Sequence, residues 1–178
     1  MKTILVLSFL VAGMLQAQVP YKNLKENGVY LADTDYLKGT LTYAFNKDEG
    51  FKFKENRKLP ITIKTSDTIY KLYKDEIWGY RKKGIDWRLF NEEFYRVDYI
   101  GKICIYTLPG CSPCSISSAT LYFSSNINSP LHQLTKKNLK EVYHTNTAFV
   151  QKVKNLPFTT SIEKWDKKNR YYEFINWL

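Results

Sequence analysis

The chain has few of the residues that most catalytic sites need. Its 178 residues include only two histidines. A Ser-His-Asp or Cys-His arrangement requires a histidine, so a hydrolase would depend on His132 or His144, and neither lies in a recognisable motif. A partly exposed surface histidine is the simpler interpretation of both. The adjacent acids Glu92 and Glu93 would point to opposite faces of a strand, which makes them unsuitable as an acid/base pair.

Long apolar runs are also missing, apart from one near the amino terminus. Residues 4–15 are apolar but too few to cross a bilayer, and no later stretch approaches the roughly twenty apolar residues of a membrane span. A positive residue precedes this run and the small Ala17 follows it, so residues 1–17 have the pattern of a secretory signal peptide cut before Gln18. We therefore expect an exported, soluble protein, periplasmic, envelope-associated or secreted, with residues 18–178 as one domain.

Acidic residues are outnumbered. The chain has 27 Lys and Arg against 17 Asp and Glu, a formal net charge of +10 at pH 7. In an exported protein this charge favours an anionic envelope surface or a protein partner over nucleic acid, although lysines also simply solvate a surface. A basic amphipathic helix can lie on an anionic membrane, or it can pack its apolar stripe on a sheet. The candidate surface-binding residues are the lysines of the expected helices: Lys136, Lys137, Lys140, Lys152 and Lys154.

Cysteine is scarce as well, with three residues at Cys104, Cys111 and Cys114. Export permits a disulfide between Cys111 and Cys114, which would leave Cys104 as a buried thiol on a strand. The same pair would serve a thiol-disulfide oxidoreductase, but the reactive thiol of such enzymes usually lies at a helix N-terminus, and this pair lies in a Ser-rich loop between strands. A zinc site would lack a nearby fourth ligand. The sequence predicts neither a metal nor a cofactor.

Aromatic and β-branched residues are plentiful, and between residues 75 and 106 they alternate with charges. This alternation predicts consecutive antiparallel strands. In the first hairpin Lys83 and Gly84 would form the turn, because glycine takes positive φ at little cost. Arg81 then lies opposite Asp86, as a cross-strand ion pair. This register places the candidate core side chains on one face: Trp78, Tyr80, Trp87 and Leu89.

Apolar and alternating segments predict further strands before and after this meander, at residues 29–31, 41–45, 61–64, 68–73 and 119–123. After residue 129 the apolar residues recur at helical spacing, which predicts two helices divided by the polar segment 144–147. A capping-box pattern at residues 160–163 predicts a third helix from Ser161 to about Arg170. The last eight residues are ambiguous between strand and helix. The sequence thus predicts an α+β domain, an antiparallel β-meander sheet followed by two or three C-terminal helices.

Four motifs together resemble a known group of exported proteins. They are the Gln-Ala-Gln that ends the signal segment, a GVYL segment followed by an Asp-containing turn, an IWGY strand and an LTKKNL helix. Their combination is similar to small exported Bacteroidota proteins of unknown function, over most of the mature chain. The resemblance implies an envelope or secreted setting and no catalytic residue.

The function expected from these observations is that of an exported cell-envelope or secreted binding or interaction protein without catalytic activity. The signal segment and the lack of a catalytic set lead to this expectation. The alternative is a thiol-disulfide oxidoreductase that uses Cys111 and Cys114.

Overall fold

The computed structural model describes residues 26–45, 51–52, 60–65, 68–110, 119–157, 161–167 and 171–178. Within these ranges the strands are β1 Asn27–Tyr30, β2 Tyr43–Phe45, β3 Phe51–Lys52, β4 Ile61–Lys64, β5 Ile69–Leu72, β6 Gly79–Lys82, β7 Ile85–Phe90, β8 Glu93–Ile100, β9 Cys104–Leu108, β10 Thr120–Ser124, β11 His132–Gln133, β12 Trp165–Asp166 and β13 Tyr171–Tyr172. The α-helices are α1 Asp33–Lys38, α2 Lys136–Val142 and α3 Thr147–Asn155, and short 3-10 helices cover Lys74–Glu76 and Glu173–Trp177. Among the described helices, none has the length and apolar character that a membrane span needs.

The main sheet has eight antiparallel strands in the order β11-β10-β9-β8-β7-β6-β1-β2. From β6 to β11 each strand pairs with the next one in the chain, as the meander prediction requires. The β1–β2 hairpin adds to the free edge of β6. Between β2 and β6 the chain forms a separate three-stranded sheet in the order β3-β4-β5, and β12 pairs with β13 near the carboxyl terminus. The predicted α+β class with an antiparallel sheet is confirmed.

The first hairpin of the meander has the predicted register, with Arg81 opposite Asp86. Its turn residues, Lys83 and Gly84, have φ values of 53° and 75°. Positive φ at both positions is typical of the type I′ turn, whose twist matches that of the flanking strands. The turn therefore fixes the pairing predicted from the charges.

A second turn with positive φ joins β7 to β8. Asn91 and Glu92 have φ values of 47° and 67°, and Glu93 begins β8. Only one of the two adjacent acids thus lies on a strand, so the prediction that both do is wrong. Because Glu92 lies in the turn, the alternation of side chains along a strand does not apply to this pair of acids.

The two faces of the main sheet bury different layers. The front face carries Tyr30 and Tyr106 and is covered by Tyr36 of α1 and by Ile127 and Leu131 of the loop after β10. Residues directly opposite in neighbouring strands share a face. The register therefore puts Tyr30, through Gly79, on the same face as Arg88.

The back face is covered at both ends. At one end the two C-terminal α-helices and the final segment pack on β9 and β10, and their buried residues are Ile103, Ile105, Phe123, Leu134, Leu139, Phe149, Val153, Ile162, Phe174 and Ile175. At the other end the three-stranded sheet packs on β1, β2 and β6, and the buried residues there are Val29, Phe45, Ile61, Ile63, Ile77 and Tyr80. The helices follow the meander and complete its core, as predicted.

Local capping explains where these helices begin and end. The Asn146 side chain accepts a hydrogen bond from the Phe149 backbone N–H at 3.0 Å, so the polar segment does cap α3. Thr135 caps α2 in the same way through Asn138. The left-handed Gly39, with φ of 69°, ends α1. The predicted division into two helices is confirmed.

The predicted third helix from Ser161 to about Arg170 is wrong. The Ser161 hydroxyl accepts a hydrogen bond from the Glu163 backbone N–H at 3.0 Å, which closes a turn two residues long instead of opening a helix. Trp165–Asp166 then pairs with Tyr171–Tyr172 as a short hairpin. The ambiguous last eight residues contain both a strand and a 3-10 helix.

One predicted face assignment in the first hairpin is also wrong. Trp78 stacks on Tyr36, with ring centroids 4.6 Å apart, and contacts Tyr30 in the front-face cluster. Tyr80 and Trp87 stack on each other at 6.0 Å in the back-face cluster. The chain bends at Trp78 before β6 begins, so strand alternation does not extend to this residue.

Candidate functional site

The densest group of buried polar side chains lies on the front face, around Arg88, which is 4% exposed. One terminal nitrogen donates to the Tyr106 hydroxyl at 2.9 Å and to the Ser124 hydroxyl at 3.4 Å, and the other donates to the Ser129 carbonyl at 2.9 Å. The guanidinium also lies 5.5 Å from the Phe90 ring centroid and 5.3 Å from that of Tyr106. Arg88 thus ties β7 to β9, to β10 and to the loop after β10.

Neutral groups hold this buried charge. No acidic side chain in the described part of the chain pairs with Arg88, and its Nε atom has no hydrogen-bond partner there. Burying a cation without a carboxylate is costly, and the two aromatic rings offset part of that cost. Tyr106 and Ser124 are both 0% exposed, so the cluster is closed to solvent. This arrangement suits cross-linking of the sheet and offers no access to a substrate.

A second buried arginine lies nearby on β6. Arg81 binds Asp86 through two hydrogen bonds of 2.7 and 2.8 Å, and the Tyr30 hydroxyl donates to the same carboxylate at 3.3 Å. Burial, together with the negative charge of Asp86, raises the pKa of Tyr30 above its ordinary value. Tyr30 therefore stays protonated and serves as a hydrogen-bond donor to the ion pair.

Cys104 lies beside the Arg88 cluster as a free thiol, 1% exposed. Burial raises its pKa, and this outweighs the opposing effect of hydrogen bonds from Tyr106 and Ser124. A buried, protonated thiol is unreactive. The expectation that Cys104 is a buried thiol is confirmed. Cys111 and Cys114 lie outside the described residues.

The C-terminal segment and the end of α3 line a partly open cavity of about 70 Å³. Its lining includes Ile162, Phe174 and Trp177, together with Lys164 and Glu173, whose side chains form an ion pair at 2.9 Å. Pockets for drug-sized ligands and cofactors measure roughly 300–1,000 Å³. This cavity is therefore too small for such a molecule. In the described ranges, no group of three or more His, Cys, Asp or Glu side chains is arranged to hold a metal ion.

The two histidines make local contacts. The His132 ring, on β11, lies 5.7 Å from the ring of Phe123. His144 Nδ1 is 3.0 Å from the Glu141 carbonyl just after α2, and the side chain is exposed. These contacts account for both residues as parts of a packed or solvated surface.

Of the five candidate lysines, Lys136 has a structural role. Its ammonium donates to the Pro157 carbonyl at 2.9 Å and to the Leu156 carbonyl at 3.4 Å, just past the end of α3. A positive charge at this position also complements the negative end of the helix dipole. Lys136 thus links the start of α2 to the end of α3 and is not free for a partner.

The other four lysines face solvent to different degrees. Lys137 lies 4.0 Å from Glu141, an exposed pair one helical turn apart. Lys152 and Lys154 are exposed on α3, and Lys140 is half-buried on α2. Among the described residues, none of these last three has an acidic partner within ion-pair distance.

Sequence reasoning missed a second basic surface, on the three-stranded sheet. Ile69 on β5 is 60% exposed, and Tyr73, which continues that strand in extended conformation, is 55% exposed. Lys71 lies between them on the same face, and Lys64 on β4 is directly opposite Ile69. We call these four residues the outer β4–β5 face. Neither of its lysines has an acidic partner in the part of the chain that the structure describes.

The sequence shows the alternation that creates this surface, but it does not show which side of the strand is exposed. Alternation along the predicted strand puts Ile69, Lys71 and Tyr73 on one side and Tyr70 and Leu72 on the other. Both sides contain two large apolar residues, so composition alone does not indicate which one is buried. The structure buries the side with Tyr70 and Leu72.

Comparison with known proteins does not assign a function. No protein-family model matches this chain, and neither does any curated protein or solved structure. Of the groups described above, the exposed lysines remain open to a partner.

Proposed function

We propose that this chain is an exported binding protein that associates with anionic surfaces of the cell envelope and has no catalytic activity of its own. One observation carries the proposal: lysines that have no carboxylate partner within the described ranges stand exposed on two surfaces, in a chain of net charge +10. Unneutralised positive charge attracts anionic lipid or glycan.

The closed polar clusters support a binding role over a catalytic one. The Arg88 cluster buries its hydrogen-bonding groups between strands, and Arg81 and Asp86 bind each other through two hydrogen bonds. Several long lysine side chains reach solvent separately from these clusters. Such groups suit an extended anionic surface better than a single small substrate.

The envelope setting rests on the signal segment at residues 1–17 and on the resemblance to small exported Bacteroidota proteins. A positive n-region and an apolar run of secretory length are what an export system recognises. The thiol-disulfide oxidoreductase alternative depends on Cys111 and Cys114 and stays a prediction.

The magnitude of the charge effect indicates what such binding requires. Each lysine close to an anionic membrane contributes about 1 kcal/mol. Lys140, Lys152 and Lys154 alone would therefore give about 3 kcal/mol, which corresponds to a dissociation constant of several millimolar or weaker, on the order of 10⁻² M. Useful affinity needs further charges or an apolar contact in addition to these helices.

Vesicle binding at two ionic strengths tests the proposal. The processed protein, with its N-terminus verified at Gln18, is sedimented with vesicles of phosphatidylcholine alone or mixed with phosphatidylglycerol. We expect binding to the anionic vesicles at about 0.01 M salt, where the Debye length is roughly 30 Å, and weaker binding at about 0.15 M, where it is roughly 8 Å. Equal binding to neutral vesicles, or no binding at low salt, contradicts the proposal.

A further inference from the structure

We propose that the outer β4–β5 face is the surface that contacts an anionic lipid bilayer. Lys64 and Lys71 would bind lipid phosphates, while Ile69 and Tyr73 enter the interfacial layer. The inference rests on the proposed function, because it names the surface through which the protein binds.

Exposure is the first observation behind this inference. Among the large apolar side chains that the structure describes, Ile69 and Tyr73 are the two most exposed. They belong to the same strand and its extension, and Lys71 stands between them on the same face. Single exposed apolar residues are ordinary, but a pair that alternates with lysine on one strand forms a patch.

The sheet presents this patch rigidly. Ile61 and Ile63 of β4 are buried, and the Tyr70 ring lies 4.2 Å from the ring of Tyr43 on β2. The inner face of the sheet is thus fixed against the core. Because side chains on a strand alternate between faces, Ile69 and Tyr73 cannot turn inward without breaking this packing.

The positive charges of the patch favour an anionic partner. Its described side chains carry two positive charges and no negative one, from Lys64 and Lys71. Two acids follow in the 3-10 helix: Asp75 is exposed, whereas Glu76 accepts a hydrogen bond from the Tyr73 backbone N–H at 2.6 Å, so the Glu76 carboxylate is directed to the main chain. Exposed apolar side chains flanked by lysines complement the phosphates and acyl boundary of an anionic membrane.

A lipid surface fits this face better than a peptide does. An extended peptide would add to the edge of β5 through backbone hydrogen bonds, and the side chains of the face would then contribute little. Tyrosine is enriched at membrane interfaces, where its ring and hydroxyl meet two different environments. The apolar contact also supplies the affinity that the helix lysines lack.

Three double variants separate the possibilities. Ile69→Ser/Tyr73→Ser removes the apolar side chains and keeps the charges. Lys64→Gln/Lys71→Gln removes the charges and keeps the apolar side chains. Lys152→Gln/Lys154→Gln is the matched control, since it removes the same charge from α3. All six side chains are at the surface, so thermal unfolding should show unchanged folding in each variant.

We expect each variant of the outer β4–β5 face to weaken partitioning onto phosphatidylglycerol-containing vesicles at least tenfold, and the Lys152→Gln/Lys154→Gln variant of α3 to weaken it less than either of them. A Tyr73→Trp variant adds a direct readout, because its fluorescence should be quenched by brominated acyl chains more strongly than that of the wild type.

The failures are distinguishable. If the α3 control loses binding and both face variants keep it, the inference is overturned and the proposed function stands. Loss in the Lys64/Lys71 variant alone, with Ile69→Ser/Tyr73→Ser unaffected and no added quenching, indicates a purely electrostatic contact without entry of the apolar side chains, and also overturns the inference. Absence of wild-type binding at low salt is a failure of the proposed function itself.

Discussion

Buried tyrosines make the stability of this protein sensitive to alkaline pH. Tyr80 is 8% exposed, and burial raises its pKa to about 12. An unfolded tyrosine has a pKa of about 10, so the folded state holds the proton more tightly. The resulting stabilisation is fully present below pH of about 10 and is lost as the pH rises from about 10 to about 12.

Urea unfolding at pH 8, 10 and 11 checks this expectation. The free energy of unfolding should fall above pH 10, with Tyr80 contributing up to about 2 kcal/mol by pH 12. Tyr80→Phe removes the titrating group, so its stability should depend less steeply on pH over this range. Parallel curves for wild type and variant would show that Tyr80 titrates normally.

The Arg88 cluster illustrates a residue-level feature that the sequence does not reveal. Arginine is among the residues least often fully buried, so an arginine on an aromatic strand is expected at the surface. Its burial depends on Tyr106, Ser124 and Ser129, which come from later parts of the chain. Only the assembled sheet brings these partners together.

At the scale of elements, the first hairpin offers a test of its turn. Lys83 has a φ of 53°, a conformation that costs most L-residues about 1–2 kcal/mol and that asparagine adopts more readily. We expect Lys83→Asn to stabilise the protein by about 0.5–1 kcal/mol, measured as a rise in the thermal midpoint.

Lys82→Asn is the matched control for this prediction. Lys82 is the last residue of β6, where asparagine is unfavourable, so the same substitution should bring no gain there. The Lys83 backbone N–H donates to the Asn27 side chain at 2.7 Å, and this bond is retained in both variants. A drop in stability for Lys83→Asn would mean that the turn does not limit the hairpin.

Elements defined by local chemistry could be predicted, and elements defined by distant contacts could not. The hairpin register followed from opposite charges and a glycine turn, which are neighbours in sequence. The helix predicted from the capping-box pattern at residues 160–163 does not form because Trp165 pairs with Tyr172, and this hairpin competes with helix formation. The exposed side of β5 is likewise set by packing against Tyr43, a tertiary contact.

At the scale of the whole molecule, Cys104 reports global unfolding. Its thiol is buried between the sheet and the front-face layer, so we expect no alkylation under native conditions and rapid alkylation in denaturant. In the exported form that we propose, we predict a disulfide between Cys111 and Cys114.

Peptide mapping without reduction measures both the reactivity of the Cys104 thiol and the presence of the disulfide. The expected result is one thiol, at Cys104, that reacts only after unfolding, and one linked peptide containing Cys111 and Cys114. Three reactive thiols in the native protein would argue against the bridge. A link from Cys104 to either other cysteine would contradict its burial as a free thiol.

The position of the three-stranded sheet in the chain has a consequence for folding kinetics. Strand β1 pairs with β6, yet the whole three-stranded sheet is inserted between the β1–β2 hairpin and β6. Contacts of high sequence separation form slowly, because the intervening loop must be closed first. During synthesis the amino-terminal hairpin emerges early and keeps an unpaired edge until β6 has been made. Such an edge is a template for pairing with other chains, so we expect the nascent protein to be prone to aggregation during this interval.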